Sequence, residues 1–420
     1  MTQLTAEQSE LSTALDSSVE KAPEVAVTEE QVDSQPASRP LANWRLTRCP
    51  HPLKRPFACI AWLVQAVFGG LSLLLVLAIL SALPVINLIG LGFLLDVQGR
   101  VGRSGKLSHA FPLLDIAPRI GVICLGFWLM LMPVRLLTDF AADATLLQPG
   151  SGKTNFLNGL ATLVQVAITI HLCCALARGG SVWCFLRPIK NIRWVISRLR
   201  QGEFFSGIAT SMKGLYHEFS IPAQFRLGLI GLLGALAWIL IPTAMLGTPE
   251  ASRGLPMVVT VVGGAILAIV LTWLPILQTE FATTGQWRSL LALSKARRLF
   301  RQTPAVWTVS YLFIYALSLP LFLFKVVSPP RDAMWLLTIV FIISLYPMKL
   351  ILGMAYFRAA RLMNDEENHQ PFFLWRWVWS LASVLLLAFY VFIFFFTQFI
   401  SEDGTQALFE NPVFSLPSPF

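Results

Sequence analysis

Four polar side chains lie inside or at the ends of long apolar stretches, where such groups are costly and are therefore candidates for function. Lys349 lies in the stretch SLYPMKLILGMAY, within one turn after Pro347, which should kink a helix because it lacks an amide hydrogen. His171 lies in a second stretch, and Gln278 and Glu280 end a third. We predict that His171, Gln278, Glu280 and Lys349 form a candidate intramembrane polar cluster. The alternative is structural: Lys349 snorkels to the membrane interface and His171 hydrogen-bonds to a neighbouring helix.

No pattern typical of an enzyme accompanies these residues. The sequence shows no nucleophile beside a base, no paired carboxylates and no His or Cys spacing suited to a metal ion. The sequence PGSGKT at 149–154 resembles the end of a phosphate-binding loop, but Leu147 stands where that motif requires a glycine. We therefore predict no catalytic residue, no metal site and no cofactor.

Composition and apolar periodicity predict the fold class. Of the 420 residues, 55% are hydrophobic and only 13% are charged, whereas soluble chains carry about 25% charged residues. Since a bilayer core of about 30 Å requires roughly 20 apolar residues per helix, we predict an all-α, polytopic transmembrane helix bundle. The eight long spans are predicted at 57–80, 119–138, 156–177, 227–246, 255–277, 305–327, 334–356 and 377–400.

The apolar run 57–95 is too long for one ordinary span and short for two. A single crossing would place the basic flanks on its two sides on opposite faces of the membrane, contrary to the preference of Lys and Arg for the cytoplasm. A turn at Ser81–Pro84 places both flanks in the cytoplasm. The returning arm 85–95 would be only about 16 Å long as a helix, so we predict a short re-entrant or half-length helix there.

Charge also predicts the topology. In this arrangement 25 Lys and Arg residues fall in cytoplasmic segments, and five fall in or beside external ones. The predicted organisation is a disordered acidic cytoplasmic tail with a basic membrane-proximal flank (1–56), a transmembrane domain (57–400) and a short external tail (401–420). Because residues 1–38 contain eight acidic residues, one Lys and no aromatic residue, they lack the apolar surface needed to fold. The predicted location is the bacterial inner membrane.

Segment 188–200, PIKNIRWVISRLR, is predicted to be a basic amphipathic helix. Its apolar stripe consists of Ile189, Ile192, Val195, Ile196 and Leu199. Arg193 and Arg200 lie at one edge of that stripe and weaken the pattern. Besides the lipid bilayer itself, we predict anionic lipids as a partner of this segment, with an ordinary positive-inside loop as the alternative. Segment 287–302 is basic but poorly amphipathic, and nucleic-acid binding is not expected because topology explains the charge.

Two stretches resemble an uncharacterised prokaryotic membrane family, the domain-of-unknown-function family numbered four thousand and thirteen. INLIGLGFLLDVQGRVGRSGKL is similar to that family's apolar turn, Gly-aromatic pair and basic segment, with Gly92 and Phe93 as the pair. QWRSLLALSKARRLFRQTPAVWTVSYL is similar to its basic segment leading into a span. The resemblance implies the same topology and no activity, and the acidic tail and last span depart from the family pattern.

Two functional hypotheses follow from these predictions. The first is a non-enzymatic envelope component or scaffold. The second is a transporter or channel for a small solute or lipid that uses Lys349 and His171. A membrane-embedded enzyme ranks third.

Overall fold

The structure is a computed structural model that describes residues 54–114, 116–202, 204–206, 209, 213, 216, 219–247, 255–326, 334–364, 372–400 and 408–409. In these residues every regular element is a helix and none is a strand, and eight helices are long and apolar enough to cross a membrane. The predicted all-α polytopic bundle is therefore confirmed, and the protein is an integral membrane protein. The predicted tails lie outside the described residues, except for 54–56 and 408–409.

Twelve α-helices are numbered here in chain order. They are α1 Pro56–Ala82, α2 Asn87–Ser104, α3 Ala117–Leu147, α4 Gly152–Ala177, α5 Val182–Phe185, α6 Pro188–Arg200, α7 Ile221–Leu246, α8 Leu255–Thr284, α9 Leu293–Gln302, α10 Pro304–Val326, α11 Met334–Asn364 and α12 Phe373–Ile400. Two 3₁₀ helices, Leu107–Ala110 and Trp287–Leu291, lie between them. The eight candidate spans are α1, α3, α4, α7, α8, α10, α11 and α12, and each overlaps one predicted span.

Several helices extend well beyond the apolar windows that predicted them. α3 has 31 residues, which is about 46 Å of helix, whereas the predicted span covered 119–138. The extra turns after 138 contain Asp139 and Asp143, and no proline or glycine interrupts the backbone hydrogen bonding there. Hydropathy therefore located the hydrocarbon-crossing part of the helix and not its end.

The break between α1 and α2 lies where the apolar run was predicted to turn. α1 ends at Ala82 and α2 begins at Asn87, and the two helices pack against each other. Pro84 lies in the connection, and Val85 adopts a left-handed φ of 67°, a conformation that branched side chains rarely accept. These residues interrupt helical hydrogen bonding and allow the two helices to meet.

α2 is longer than the predicted arm. The arm was predicted over 85–95, but the helix continues through the polar residues after Leu95 and ends at Ser104. Its 18 residues correspond to about 27 Å. α2 packs against α1, α7, α8 and α11, and most of its residues are buried. The polar half of the sequence suggested a loop, whereas cover from neighbouring helices keeps it helical.

Glycine allows the close approach of α2 and α7. A Cβ built on Gly228 of α7 would lie 2.0 Å from the carbonyl oxygen of Leu88, and one on Gly92 of α2 would lie 1.8 Å from that of Gln224. The two backbones are therefore in direct contact, as is common where small residues line membrane helix interfaces. This contact positions one side of α2, the helix at the centre of the candidate site.

A proline in α8 is compensated by a tyrosine from α10. Pro275 has no amide hydrogen, so the carbonyl of Leu271 lacks its helical donor. The hydroxyl of Tyr315 donates to that carbonyl at 3.0 Å. Thus the backbone group freed by the proline is satisfied within the protein, as an apolar membrane interior requires.

The described residues form one large apolar core, a second group of buried apolar residues from α2, α8 and the 3₁₀ turn Trp287–Leu291, and a separate small core. The large core contains residues of α1, α2 and α7 to α12, together with Leu408. The small core contains Leu172, Ala175, Cys184 and Phe185 and lies among α3, α4 and α5. α3 and α4 bury a smaller share of their apolar windows than α10 and α11 do, so their outer faces meet lipid or another protein.

The prediction of weak amphipathicity over 287–302 is wrong for its second half. The segment divides into a 3₁₀ turn at Trp287–Leu291 and the helix α9. α9 buries Ala296, Leu299 and Phe300, and three arginines lie at its other positions. A single helical period across 287–302 hides the amphipathic pattern, because the 3₁₀ turn and α9 place their apolar side chains at different spacings.

Candidate functional site: a buried polar cluster and a polar face

The candidate site lies where α2, α8 and α11 meet. α8 contributes three consecutive polar residues, Gln278, Thr279 and Glu280, all of which are buried. Since successive residues point about 100° apart around a helix, these three side chains reach different neighbours. Gln278 faces α11, Thr279 faces α2, and Glu280 contacts both α9 and α11.

The ammonium group of Lys349 lies inside the protein and does not reach water. Lys349 is 1% exposed and Gln278 is 0% exposed. Nζ of Lys349 donates to Oε1 of Gln278 at 3.4 Å. The structure therefore buries this lysine against an amide rather than placing it in the snorkelling position that the alternative interpretation required.

Glu280 links three elements at the end of α8. Its Oε1 accepts from Nζ of Lys295 on α9 at 2.5 Å, and its Oε2 accepts from the hydroxyl of Tyr356 on α11 at 2.7 Å. Lys295 is partly exposed and Glu280 is buried. Both carboxylate oxygens thus have a donor, which is the condition for keeping a carboxylate out of water.

Arg103 of α2 closes the end of α8. Its Nη1 donates to the carbonyl oxygens of Ala282 at 3.2 Å and Thr283 at 2.8 Å. These carbonyls belong to the last helical turn and have no helical donor, and a cation at that end is also favoured by the helix dipole. Arg103 therefore fixes the end of α8 relative to α2.

Two amide groups in the cluster retain unused hydrogen-bonding capacity. Nε2 of Gln98 donates to the hydroxyl of Thr279 at 2.5 Å. Oε1 of Gln98 and Nε2 of Gln278 are buried and have no hydrogen-bond partner among the described residues. One orphan is an acceptor and the other a donor, so the cluster offers both kinds of contact to a small polar guest.

His171 lies apart from the other three predicted residues. Its Nε2 is 2.9 Å from the carbonyl oxygen of Phe185, and its helix α4 packs chiefly against α3, α5 and α6. It belongs to the small core rather than to the α2–α8–α11 contact. The structure therefore brings Gln278, Glu280 and Lys349 into one region and leaves His171 outside it.

Sequence reasoning missed four members of this region. Gln98 was assigned to a cytoplasmic loop because basic residues surround it, and Thr279 is an ordinary residue in a membrane helix. Lys295 lay in a segment whose charge was explained by topology alone, and Tyr356 was the last residue of the predicted span 334–356. The only available signal was the position of Lys295, which follows Glu280 by 15 residues across a short connection.

A second polar surface lies on the outer face of α4. Its inner positions Thr154, Ala161, Leu172 and Ala175 are buried. An exposed side adjoining them is what we call the α4 polar face, which consists of Asn155, Asn158, Gly159, Thr162, Gln165, Thr169 and Cys173. These positions recur at spacings of three and four residues, so they form a continuous stripe along the helix.

The depth of Gln165 distinguishes the α4 polar face from an ordinary lipid-facing surface. Gln165 lies near the midpoint of α4, about 20 Å from Gly152. Thr162 and Thr169 donate to the carbonyls of Asn158 and Gln165 and so satisfy themselves locally. The Gln165 side chain is exposed, and its amide has no hydrogen bond to any described residue.

Neither surface carries an evident reactive centre. Within the described ranges, no three His, Cys, Asp or Glu side chains lie close enough to share a metal ion. Two shallow depressions lie elsewhere, one on the α4 polar face and one on α6. The buried cluster is closely packed and lies away from both.

Comparison of the chain with family models, with curated proteins and with solved structures gives no match. The resemblance to the family numbered four thousand and thirteen therefore stays a prediction. What the chain does must be argued from its own geometry, and that geometry is of an integral membrane protein with a buried polar cluster and a polar face at bilayer depth.

Proposed function

We propose that this protein is a non-enzymatic membrane component that self-assembles through the α4 polar face. The observation that carries the proposal is Gln165, an exposed amide at the midpoint of a span. An amide in hydrocarbon gains by pairing with another polar group, and measured interhelical hydrogen bonds in membranes contribute about 0.6–2 kcal/mol. A partner helix satisfies this group where lipid does not.

A second copy of the chain is the partner that best fits. In a two-fold dimer whose axis is normal to the membrane, each residue meets its own copy at the same depth. Glutamine has both a donor and an acceptor, so two Gln165 amides pair with each other. Gly159 and Thr162 are small and allow the two helices to approach closely. The α4 polar face can therefore pair with a second copy of itself, because the matching polar groups lie at the same depth in the membrane.

Cross-linking in membranes tests this assembly. We start from a variant without cysteines and introduce Thr162→Cys on the α4 polar face or Leu163→Cys, an exposed position on the neighbouring lipid-facing side. We expect Thr162→Cys to form a disulfide-linked dimer under mild oxidation and Leu163→Cys to remain monomeric, because only the first faces its copy.

Equal cross-linking of the two variants would overturn the proposed interface. A disulfide-linked adduct of Thr162→Cys with a different membrane protein would support a scaffold function and contradict self-assembly. Gln165→Leu in the Thr162→Cys chain provides a second measurement, and we expect it to reduce the dimer yield severalfold because the amide pair is lost.

The alternative function is transport of a small solute, and one observation favours it. Gln98 Oε1 and Gln278 Nε2 are orphaned within the cluster that contains the Lys349 ammonium. A buried cation with free amide contacts suits an anion or a neutral hydrogen-bonding solute. A lipid is less compatible with a cluster that is packed on all sides.

Uptake into proteoliposomes tests the transport alternative. If the cluster is a solute path, Lys349→Met reduces chloride or phosphate uptake to background, whereas Lys153→Met in an exposed position does not. We expect Lys349→Met to fold, because methionine has a flexible apolar side chain that fills the same space and leaves no ammonium group to be kept out of water. Uptake that does not change removes Lys349 from the mechanism.

The predicted orientation belongs to the same proposal. We infer that the amino terminus is cytoplasmic, the carboxyl terminus is external, and the membrane is the bacterial inner membrane. The support is the excess of basic residues in one set of connections. In this orientation Arg103, Lys295 and α6 all lie toward the cytoplasm.

A further inference from the structure

α6 is held against the end of α4 by a buried asparagine. Asn191 is 0% exposed. Its Nδ2 donates to the carbonyl oxygen of Cys184 at 2.6 Å, and its Oδ1 accepts from Nη1 of Arg178 at 3.1 Å. These bonds determine which face of α6 meets the protein, so the other faces are fixed as well.

The apolar stripe of α6 stays uncovered in this arrangement. Ile189, Ile192, Ile196 and Leu199 are between 44% and 67% exposed. Val182, Trp183 and Leu186, which precede the helix, are exposed too. An uncovered stripe of this size beside the end of a membrane span is typical of a helix that lies in the interface with its apolar face in the acyl region.

Two arginines border this stripe and share a depression. Arg193 and Arg200 lie two helical turns apart on the same edge, and the depression between them is lined by Ile196, Ser197 and Gln201. Neither arginine forms an ion pair with another described residue. No Asp or Glu occurs between Arg178 and Gly202, so the local potential is positive throughout.

We infer that α6 carries a binding site for an anionic phospholipid of the cytoplasmic leaflet. The headgroup phosphate lies between Arg193 and Arg200, whose planar guanidinium groups suit phosphate oxygens. The acyl chains extend along Ile192, Ile196 and Leu199. The edge position of the two arginines weakens the amphipathic pattern, but it is the position that a phosphate at the boundary of the apolar layer requires. The inference is independent of the α4 dimer.

The matched variants differ only in the face of α6 that they change. Arg193→Gln with Arg200→Gln removes the proposed site, whereas Lys190→Gln with Arg198→Gln removes the same charge elsewhere on the helix. All four residues are outside the apolar cores. The full-length protein in detergent micelles is titrated with phosphatidylglycerol or with phosphatidylcholine, and bound lipid is counted by native mass spectrometry.

We expect the Arg193 and Arg200 pair to lower phosphatidylglycerol affinity roughly tenfold or more, since only these two guanidinium groups would lose direct charge-assisted hydrogen bonds to the phosphate. The control pair should change affinity by less than about threefold, and phosphatidylcholine should bind weakly to all three proteins. An equal loss of phosphatidylglycerol affinity in the two double variants would show that net charge alone explains the binding, and it would overturn the proposed site. Displacement of the lipid by inorganic phosphate at equal concentration, or tighter binding of an oligonucleotide, would also overturn it.

Discussion

Glu280 is the residue on which the most elements depend. It joins α8 to α9 through Lys295 and to α11 through Tyr356. Lys349, by contrast, lies beside a neutral amide. Glu280 therefore has a structural role, and Lys349 is the residue that the proposed transport alternative would use.

A double-mutant cycle of Glu280→Gln and Lys295→Met tests the structural role. We expect Glu280→Gln to lower the free energy of unfolding by about 1–3 kcal/mol, because charged hydrogen bonds to both oxygens are weakened. Lys295→Met should cost less, since Lys295 is 36% exposed and water screens it. Denaturation in mixed micelles measures both values. A coupling energy near zero would show that the pair contributes nothing.

At this scale the sequence predicts which residues matter better than it predicts their partners. Gln278, Glu280 and Lys349 are recognisable because they are polar in apolar surroundings. Gln98 is not, because its neighbours are polar too and only the fold buries it. His171 has the same signal as Lys349, yet its ring bonds within the small core, and no local pattern separates the two cases.

At the level of helices, the contact between α2 and α7 positions the helix at the centre of the candidate site. Gly228→Ala brings a methyl group to within 2.0 Å of the Leu88 carbonyl oxygen, so the helices must separate. We expect a loss of about 1–3 kcal/mol or more in the free energy of unfolding. The control is Gly70→Ala in α1, where nothing lies within 4 Å. Thermal unfolding in detergent compares the two, and equal stabilities would contradict the close packing.

The sequence predicts the location of a helix where a long apolar window defines it. The eight spans were located because each contains a long apolar window. The ends of α3 and the polar half of α2 were not, because helix continuation there depends on backbone hydrogen bonding and neighbouring cover. α6 was predicted with its observed bounds, since Pro188 favours a first helical position and the apolar spacing continues to Leu199.

At the scale of the whole molecule, one short buried helix organises the rest. α2 contacts α1, α7, α8 and α11 and supplies Gln98 and Arg103 to the cluster. α3 and α4 share a small core, α3 also packs against α1, and α4 carries the polar face. The proposed roles are thereby separated: the α2 side holds the cluster, α4 provides assembly, and α6 binds lipid.

The cytoplasmic placement of the cluster and of α6 requires that the chain enters and leaves the membrane through the α1–α2 hairpin. Only then do the basic residues before α1 and after α2 share the cytoplasmic side, with the cluster and α6 facing the same way. A single crossing by the 57–95 run would invert every later connection and place α6 outside, away from the anionic cytoplasmic leaflet.

Cysteine accessibility in intact cells is the measurement that tests this most directly. Lys54→Cys, Lys106→Cys and Gln148→Cys are introduced one at a time into the full chain without other cysteines, at three exposed positions. We expect a membrane-impermeant maleimide to label Gln148→Cys in intact cells and the other two only after permeabilisation. Labelling of Lys54→Cys and Lys106→Cys from opposite sides would contradict the hairpin and, with it, the cytoplasmic placement of the cluster and of α6.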